Sequence, residues 1–444
     1  MSGLSQKIAD TFRRIRERGR DGVWISLIPE EQALQRAEEL ESDPHELPLK
    51  GRTFAIKDNI DLEGLPTTAA CPAFAYKPAK SAFVVQRLID AGAIPIGKTN
   101  LDQFATGLNG TRSPYGIPRN FYHPGYISGG SSSGSAIAVA AGLVEFALGT
   151  DTAGSGRVPA AFNNLVGLKP TRGNWSTGGL VPACRTLDCI SVLTKSLREA
   201  QAINAVVSEF DPADPYSRRP LDSTPSALRR IGVLPDNERE FFGDGEYARL
   251  YTEAVARAAT LGWNVSEFDY RPFREVANLL YSGPWVAERY SACKSIIEAN
   301  PSEVHPVVRA VILSAGKFSA VDAFESQYRL ASLARETERT WESFDAILLP
   351  SSGTIYTVEE MLADPVALNT NLGRYTNFMN LLDLCGLAVP AGFRPDKIPF
   401  GVTFFAPAWG ERLLFKLAEE FEGFGRADYP RGKNAFAWNN PNSL

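Results

Sequence analysis

Two glycine–serine loops, Gly129-Gly-Ser-Ser-Ser-Gly-Ser135 and Gly149-Thr-Asp-Thr-Ala-Gly-Ser-Gly-Arg157, frame the stretch that decides how this chain is read. Between them, Ala136 to Leu143 is small and apolar enough for a tightly packed helix, and Glu145 to Gly149 reads as a short strand. A second helix, Val158 to Asn164, follows. Glycine lets the backbone N–H groups of a loop come close to an anionic oxygen. The second loop also runs into a helix, so its N–H groups lie at the positive end of a helix dipole. That combination suits an oxyanion hole. Flexible connectors and phosphate cradles share the composition, but neither loop ends in the Lys-Ser/Thr of a P-loop.

Outward from this stretch the alternation of strand and helix continues. Arg52 to Ile56 reads as a strand entering a polar turn. Phe83, Val84, Leu88 and Ile89 share a helical face ahead of a buried strand at Ala93-Ile-Pro-Ile96. Strand signals return at Ala346–Pro350, Gly386–Pro390 and Gly401–Phe405, and the helix Arg412 to Phe421 would close the sheet. The expected fold is therefore α/β, a mixed, mostly parallel central β-sheet flanked by helices. Residues 1–45 read as helical. Residues 200–340 are helix-rich and charged, with turn clusters at Asp211–Asp222 and Pro235–Gly245, and are expected to form a helical cap insertion. The late strands must rejoin the early core, so 1–444 is expected to be one domain with an embedded cap. The tail from Tyr429 to Asn442 is polar and turn-rich.

Composition narrows the function. Hydrophobic residues make up 44% and charged residues 22%, as in globular proteins, and the formal charge of −5 argues against a nucleic-acid partner. No apolar run approaches the ~20 residues that cross a bilayer, so no membrane is expected. Charges alternate from Lys7 to Arg18 where a signal peptide would be apolar, and a cytoplasmic location is expected. Cys71, Cys184, Cys189, Cys293 and Cys385 are scattered and read as buried free thiols. His45, His123 and His305 are too dispersed for a metal cage. No metal or organic cofactor is expected.

Three further motif matches lack the companion residues their chemistry needs. Gly130-Ser-Ser-Ser-Gly134 has the form of a nucleophile elbow centred on Ser132, but the only histidine after it is His305, in a charged helical stretch. Ser291–Lys294 and Ser314–Lys317 fit Ser-x-x-Lys without the companion motifs of β-lactamases.

The run from Gly129 to Thr171, ending Val166-Gly-Leu-Lys-Pro-Thr171, closely resembles the amidase signature family of serine amidohydrolases. Phe54-Ala-Ile-Lys-Asp-Asn-Ile60 resembles that family's lysine segment, and Gly97-Lys-Thr-Asn-Leu-Asp-Gln-Phe104 another of its recurrent stretches. The likeness is strong over about residues 48–200 and weaker over 345–410. It implies Ser155 as nucleophile, Ser131 in a cis peptide as proton relay, and Lys57 as base. Thr152, Ala153, Gly154 and Ser155 would supply the oxyanion-hole amides, while Asp151 and Arg157 would pair to hold the loop. Asn100 and Asp102 read as turn and cap residues. A lysine serves as base only if burial or positive charge lowers its pKa toward neutral. Asp58, its neighbour in the chain, must then turn away.

Within the family, three segments resemble the allophanate hydrolase subgroup: Asp151 to Asn164, Val181 to Cys189, and Leu280-Tyr-Ser-Gly-Pro-Trp-Val-Ala-Glu-Arg-Tyr290. Other relatives more often carry isoleucine where this chain has Gly156. The resemblance implies that Tyr281 and Arg289 bind the substrate. Arg289 would fork onto a carboxylate, where without the likeness it would read as a solvated charge or a partner of Glu288 or Glu275. Eight residues span about two helical turns, so one helix could carry both, subject to a break at Gly283-Pro284. The implied partner is a small carboxylate-bearing amide, and a homodimer is expected. Subgroup members usually carry a second, C-terminal decarboxylation domain, so this chain is expected to represent the amidase half. Alternatives are an amidase for another small amide or ureido acid, or a glutaminase subunit of a tRNA-amidating complex.

Overall fold

In the computed structural model, which describes residues 3–221 and 229–423, every strand read from the sequence enters one sheet. Its strands are β1 (Trp24–Leu27), β2 (Thr53–Lys57), β3 (Ile94–Thr99), β4 (Phe146–Asp151), β5 (Val166–Lys169), β6 (Cys189–Thr194), β7 (Arg230–Val233), β8 (Asn264–Glu267), β9 (Ala346–Pro350), β10 (Leu384–Phe393) and β11 (Pro399–Pro407). They lie in the order β1-β3-β2-β4-β6-β5-β10-β11-β9-β7-β8. β2 and β4 are buried along their whole length, which is why they read as continuous apolar or small runs. The expected mixed sheet flanked by helices is present. Parallel pairing holds on the two flanks, β3/β2/β4 and β9/β7/β8. Through the middle, from β4 to β9, neighbours run antiparallel. There β10 returns directly into β11 through a short loop, a connection open only to antiparallel strands.

Helices α1 (Gly3–Arg18) and α2 (Glu30–Ser42) occupy the start of the described chain. The sequence does not flag β1 between them, a half-buried strand of four residues that adds to β3 at the sheet edge. α3 (Phe83–Asp90) turns Val84, Val85 and Leu88 inward before β3. α4 (Ser133–Ala140) and α5 (Arg157–Phe162) are buried at every residue, α4 through its small side chains and α5 with the large Arg157 and Phe162 among them. α4 approaches β4 closely at Gly149, where a Cβ would stand 2.7 Å from Ser132 Oγ.

The stretch read as a cap contains α6 (Leu197–Val207), α7 (Gly245–Thr260), α8 (Arg271–Ser282) and α9 (Val286–Ala299), and it also supplies β7 and β8 to the sheet. The helix Glu411–Gly423 lies where the sequence places a closing helix, with Leu413, Leu414, Leu417, Ala418 and Phe421 buried. Asp222, the end of one turn cluster, and the polar stretch from Tyr429 to Asn442 lie outside the described residues.

Candidate active site

β2 and β4 are parallel neighbours, with Ile56 opposite Leu148, so their carboxyl ends emerge side by side. Lys57 ends β2, Thr150 stands near the end of β4, and the loop into α4 brings Ser131 and Ser132 over both. The Gly130–Ser131 peptide is cis. Lys57 is fully buried, and its Nζ donates to Ser131 Oγ at 2.7 Å, Ser132 Oγ at 3.0 Å and Thr150 Oγ1 at 2.6 Å. Burial pushes the Lys57 pKa down to about 7; Asp102, Asp151 and Asp188 oppose that shift, and Arg289 adds to it.

Asp58 turns away from Lys57. Its carboxylate pairs with Lys98 at 3.1 Å and accepts from the Thr68 amide at 3.1 Å and from the Thr68 hydroxyl. Successive strand residues point to opposite faces, and Lys98 sits on the face that Asp58 enters.

Ser132 and Thr150 are partners of Lys57 that the sequence does not single out. Ser132 Oγ donates to the Thr150 carbonyl at 3.2 Å and accepts the Thr150 amide at 3.2 Å. Its proton is thereby committed, and toward Lys57 it acts as an acceptor. A neutral amine at Lys57 would therefore turn its lone pair to the hydroxyl of Ser131 or Thr150. The available signal was position alone, Ser132 beside Ser131 and Thr150 in the strand that leads to Ser155.

The second loop is organised by Asp151. Its carboxylate takes Arg157 Nε and Nη2, each at 2.8 Å, the Gly154 amide at 2.8 Å and the Gly156 amide at 3.1 Å. The expected Asp151–Arg157 pair is thus present. It corrects the expectation for Gly154, whose N–H is occupied by Asp151. Among the described residues, the amides of Thr152, Ala153 and Ser155 have no protein acceptor. Thr152 is held from behind, its hydroxyl donating to Asp188 Oδ1 at 2.5 Å. Asp188 also accepts the amides of Ala183 and Cys184, at 2.8 and 3.2 Å, and burial pushes its carboxyl up to about 6.

Ser155 is 3% exposed, and its Oγ faces the Gly107 carbonyl at 3.5 Å. Among the described residues no hydrogen bond joins Ser155 to Ser131, so the Lys57–Ser131 contact is closed while the Ser131–Ser155 contact is open. Asp102 and Asn100 hold loop backbone, and Asp102, read as a turn or cap residue, stands at the head of the turn Gln103–Ala105 without a side-chain cap bond to it. Asp102 accepts the amides of Asn109, Gly110 and Arg112, and Asn100 Nδ2 donates to the carbonyls of Gly22 and Gly116.

Tyr281 and Arg289 come together from two helices rather than one, because α8 stops at Ser282 before Gly283-Pro284 and α9 begins at Val286. The Arg289 guanidinium lies 5.4 Å from the centre of the Tyr281 ring, with Nη2 3.4 Å from the phenol oxygen. Nη1 donates to Thr106 Oγ1 at 3.1 Å and the Ala105 carbonyl at 3.4 Å. Arg289 is 2% exposed, and no carboxylate pairs with it among the described residues. Glu288 instead takes the Thr186 hydroxyl at 2.8 Å, and Glu275 takes Arg329. Of the motif matches set aside, Lys294 is exposed and pairs with Glu298, while His305 meets the core through its backbone amide, which donates to Gln103. All five cysteines are buried and free.

The Amidase family model matches residues 11–415. The urea amidolyase of Lachancea kluyveri is 44% identical over 422 residues, covering 94% of this chain and 23% of that protein. One component of the glutamyl-tRNA(Gln) amidotransferase from Synechococcus sp. is 33% identical over 429 residues, covering 88% of this chain and 86% of that protein. The solved structure of Kluyveromyces lactis allophanate hydrolase superposes with a TM-score of 0.90 at 42% identity, covering 96% of this chain and 72% of that one. The chain spans less than a quarter of the urea amidolyase it matches. Among the described residues no helix is long and apolar enough to cross a membrane.

Proposed function

The chain belongs to the amidase family, and from that premise we propose that it hydrolyses allophanate, a small ureido carboxylate, with Ser155 as nucleophile, Ser131 as relay and Lys57 as base. Ser155 attacks the terminal carboxamide carbon, and its proton passes through Ser131 to neutral Lys57. The same proton returns to the departing nitrogen, and ammonia leaves. Water then attacks the acyl-enzyme, passing a proton through Ser131 to Lys57, and that proton returns to Ser155 Oγ as N-carboxycarbamate leaves and decarboxylates to ammonia and carbon dioxide. Free amides in the 152–155 loop, at the amino end of α5, suit the oxyanion of both tetrahedral intermediates.

The observation that carries the substrate is Arg289. A buried guanidinium without a carboxylate partner costs several kcal/mol unless a ligand neutralises it. Here it sits beside a phenol, 3.4 Å from its oxygen. A carboxylate satisfies both groups, since a guanidinium binds it through parallel N–H bonds. The likeness to urea amidolyase and allophanate hydrolase supports the same substrate. The helix-rich stretch 200–340, which bears Tyr281 and Arg289, then forms part of the substrate pocket.

Ammonia release from allophanate, biuret, malonamate, glutamine and a fatty amide tests the proposal. Arg289→Ala should cut kcat/KM for allophanate by about a hundredfold or more, as for a lost buried charge contact, and spare neutral biuret. Turnover confined to glutamine and dependent on partner proteins would instead favour the glutaminase reading. A homodimer in a reducing cytoplasm is the setting we propose. The exposed Val321, Phe324 and Tyr328 along one face of the helix Ala320–Glu338 are residues a second copy would cover, and light scattering measures that assembly.

A further inference from the structure

Arg112 and Arg289 are anchored on the same residue. Arg289 reaches Thr106 from α9, its Nη1 donating to Oγ1 at 3.1 Å. Arg112 reaches it from the core, its Nη1 donating to the Thr106 carbonyl at 2.9 Å, while its Nη2 donates to the Pro365 carbonyl. Both arginines are almost fully buried, at 3% and 2% exposure. Among the described residues neither has a carboxylate within ion-pair distance. Asp102 is the acid that acts most strongly on Arg112, and its oxygens are taken by backbone amides. Arg157 offers the contrast within the same fold, since its buried charge meets Asp151 at 2.8 Å.

Two cations held in one dry region repel each other, and each lacks the hydration it would have in water. An arriving anion relieves that repulsion. Thr106 also precedes Gly107, whose carbonyl faces Ser155 Oγ at 3.5 Å. One short backbone segment therefore links the charge-reading groups to the nucleophile.

We propose that Arg112 is a positioning residue of the carboxylate subsite, fixing Thr106, and through it Arg289, while its charge adds to the attraction for an anionic substrate. The inference rests on the reading of Arg289 as the group that binds the carboxylate. Arg112 acts on binding and has no place in the proton relay, so removing it should weaken anion affinity and leave turnover at saturation largely intact.

The test uses Arg112→Met, Arg112→Lys, Thr106→Val and Thr106→Ser in the full chain. Allophanate kinetics are read together with calorimetric binding of malonate, which replaces the N–H of the product N-carboxycarbamate by a methylene. Arg112→Met should raise the allophanate KM and the malonate Kd at least about tenfold, with kcat within about threefold of wild type. Arg112→Lys should recover part of the affinity, because it keeps the charge and loses the fork. Thr106→Val should repeat the pattern more mildly, and Thr106→Ser should restore it. If Arg112→Met does not fold, Arg112→Lys decides, its malonate Kd rising above wild type because one ammonium cannot reproduce the guanidinium bonds to both the Thr106 and Pro365 carbonyls. Loss of kcat with malonate binding unchanged would overturn the inference, leaving Arg112 a structural brace. Should Arg289→Ala weaken malonate binding while Arg112→Met and Thr106→Val do not, only Arg112 loses its role. Should Arg289→Ala leave malonate binding intact, the carboxylate reading falls and this inference with it.

Discussion

The Asp58 carboxylate stands 3.1 Å from the Lys98 ammonium, and both side chains are fully buried. That pair commits the negative charge nearest to Lys57 in the chain to the opposite face of β2. Lys57 is left among hydroxyls, and burial brings its pKa down to about 7. A base must be neutral to accept a proton. Hydrolysis should therefore rise with pH through an apparent pKa near 7 and level off above it. Lys57→Ala and Lys57→Arg should both lose several orders of magnitude, since a guanidinium remains protonated. A kcat/KM profile that stays flat down to pH 5.5, or an arginine variant with near-wild-type turnover, would remove Lys57 as the base.

The same shift has a sign in stability. The unfolded lysine titrates near 10.5 and the folded one near 7. Between those values the unfolded chain binds more protons, so this group makes folding more favourable as pH rises. Below 7 its full cost is present, on the order of a few kcal/mol. Lys57→Met removes the titration. Urea denaturation at pH 6 and pH 9 should show the variant gaining on wild type at the lower pH and falling back at the higher. An equal difference at both values would mean that Lys57 is held as an ammonium.

Ser132 touches Lys57 at 3.0 Å, yet its hydroxyl proton goes to the Thr150 carbonyl. It is an acceptor in the lysine cradle and lies off the proposed proton path. Ser132→Ala should keep substantial activity, and Ser133→Ala likewise, while Ser155→Ala should abolish it. Losing an acceptor disfavours the ammonium form, so the acid limb of the Ser132→Ala profile should move to lower pH. Equal loss in Ser132→Ala and Ser155→Ala would transfer the relay role to Ser132.

What the sequence made legible follows from local pattern. The strand that ends at Lys57 is a continuous buried run, and the glycine–serine loops announce themselves by composition, so the strands around the site were readable. Pairing direction in the middle of the sheet was not, because β5, β6 and β10 meet across long separations. The same limit hides side-chain partners. Thr152 meets Asp188 because β4 and β6 pair antiparallel with Asp151 opposite Cys189, a register set by the whole sheet. The diversion of the Gly154 amide to Asp151 depends on a loop conformation that composition does not encode. The break between Tyr281 and Arg289 was visible as Gly283-Pro284, yet the way the two helices bring the side chains together was not.

Gly156, next to Ser155, tests how rigid that loop must be. A Cβ there would stand 2.6 Å from Ser191 Oγ and 2.9 Å from Ser191 Cβ, in the buried strand β6. The Cβ of a strand residue moves only with its backbone, and β6 is paired on both sides. The loop would have to give instead. Its Gly156 amide is bonded to Asp151 Oδ2, so a shift would pull on the pair that frames Ser155. Gly156→Ala should therefore lose about 1–3 kcal/mol of stability, as overpacking does, and roughly a hundredfold in kcat, as a misplacement near 1 Å does. Ser191→Gly removes both clashing atoms and costs about 1 kcal/mol for a glycine in a strand. The double variant should regain most of the kcat that Gly156→Ala loses, measured as ammonia release at saturating substrate. A fully active Gly156→Ala would show that the loop has room to move without disturbing Ser155. An inactive double variant would show that Gly156 is required for something other than the space Ser191 occupies.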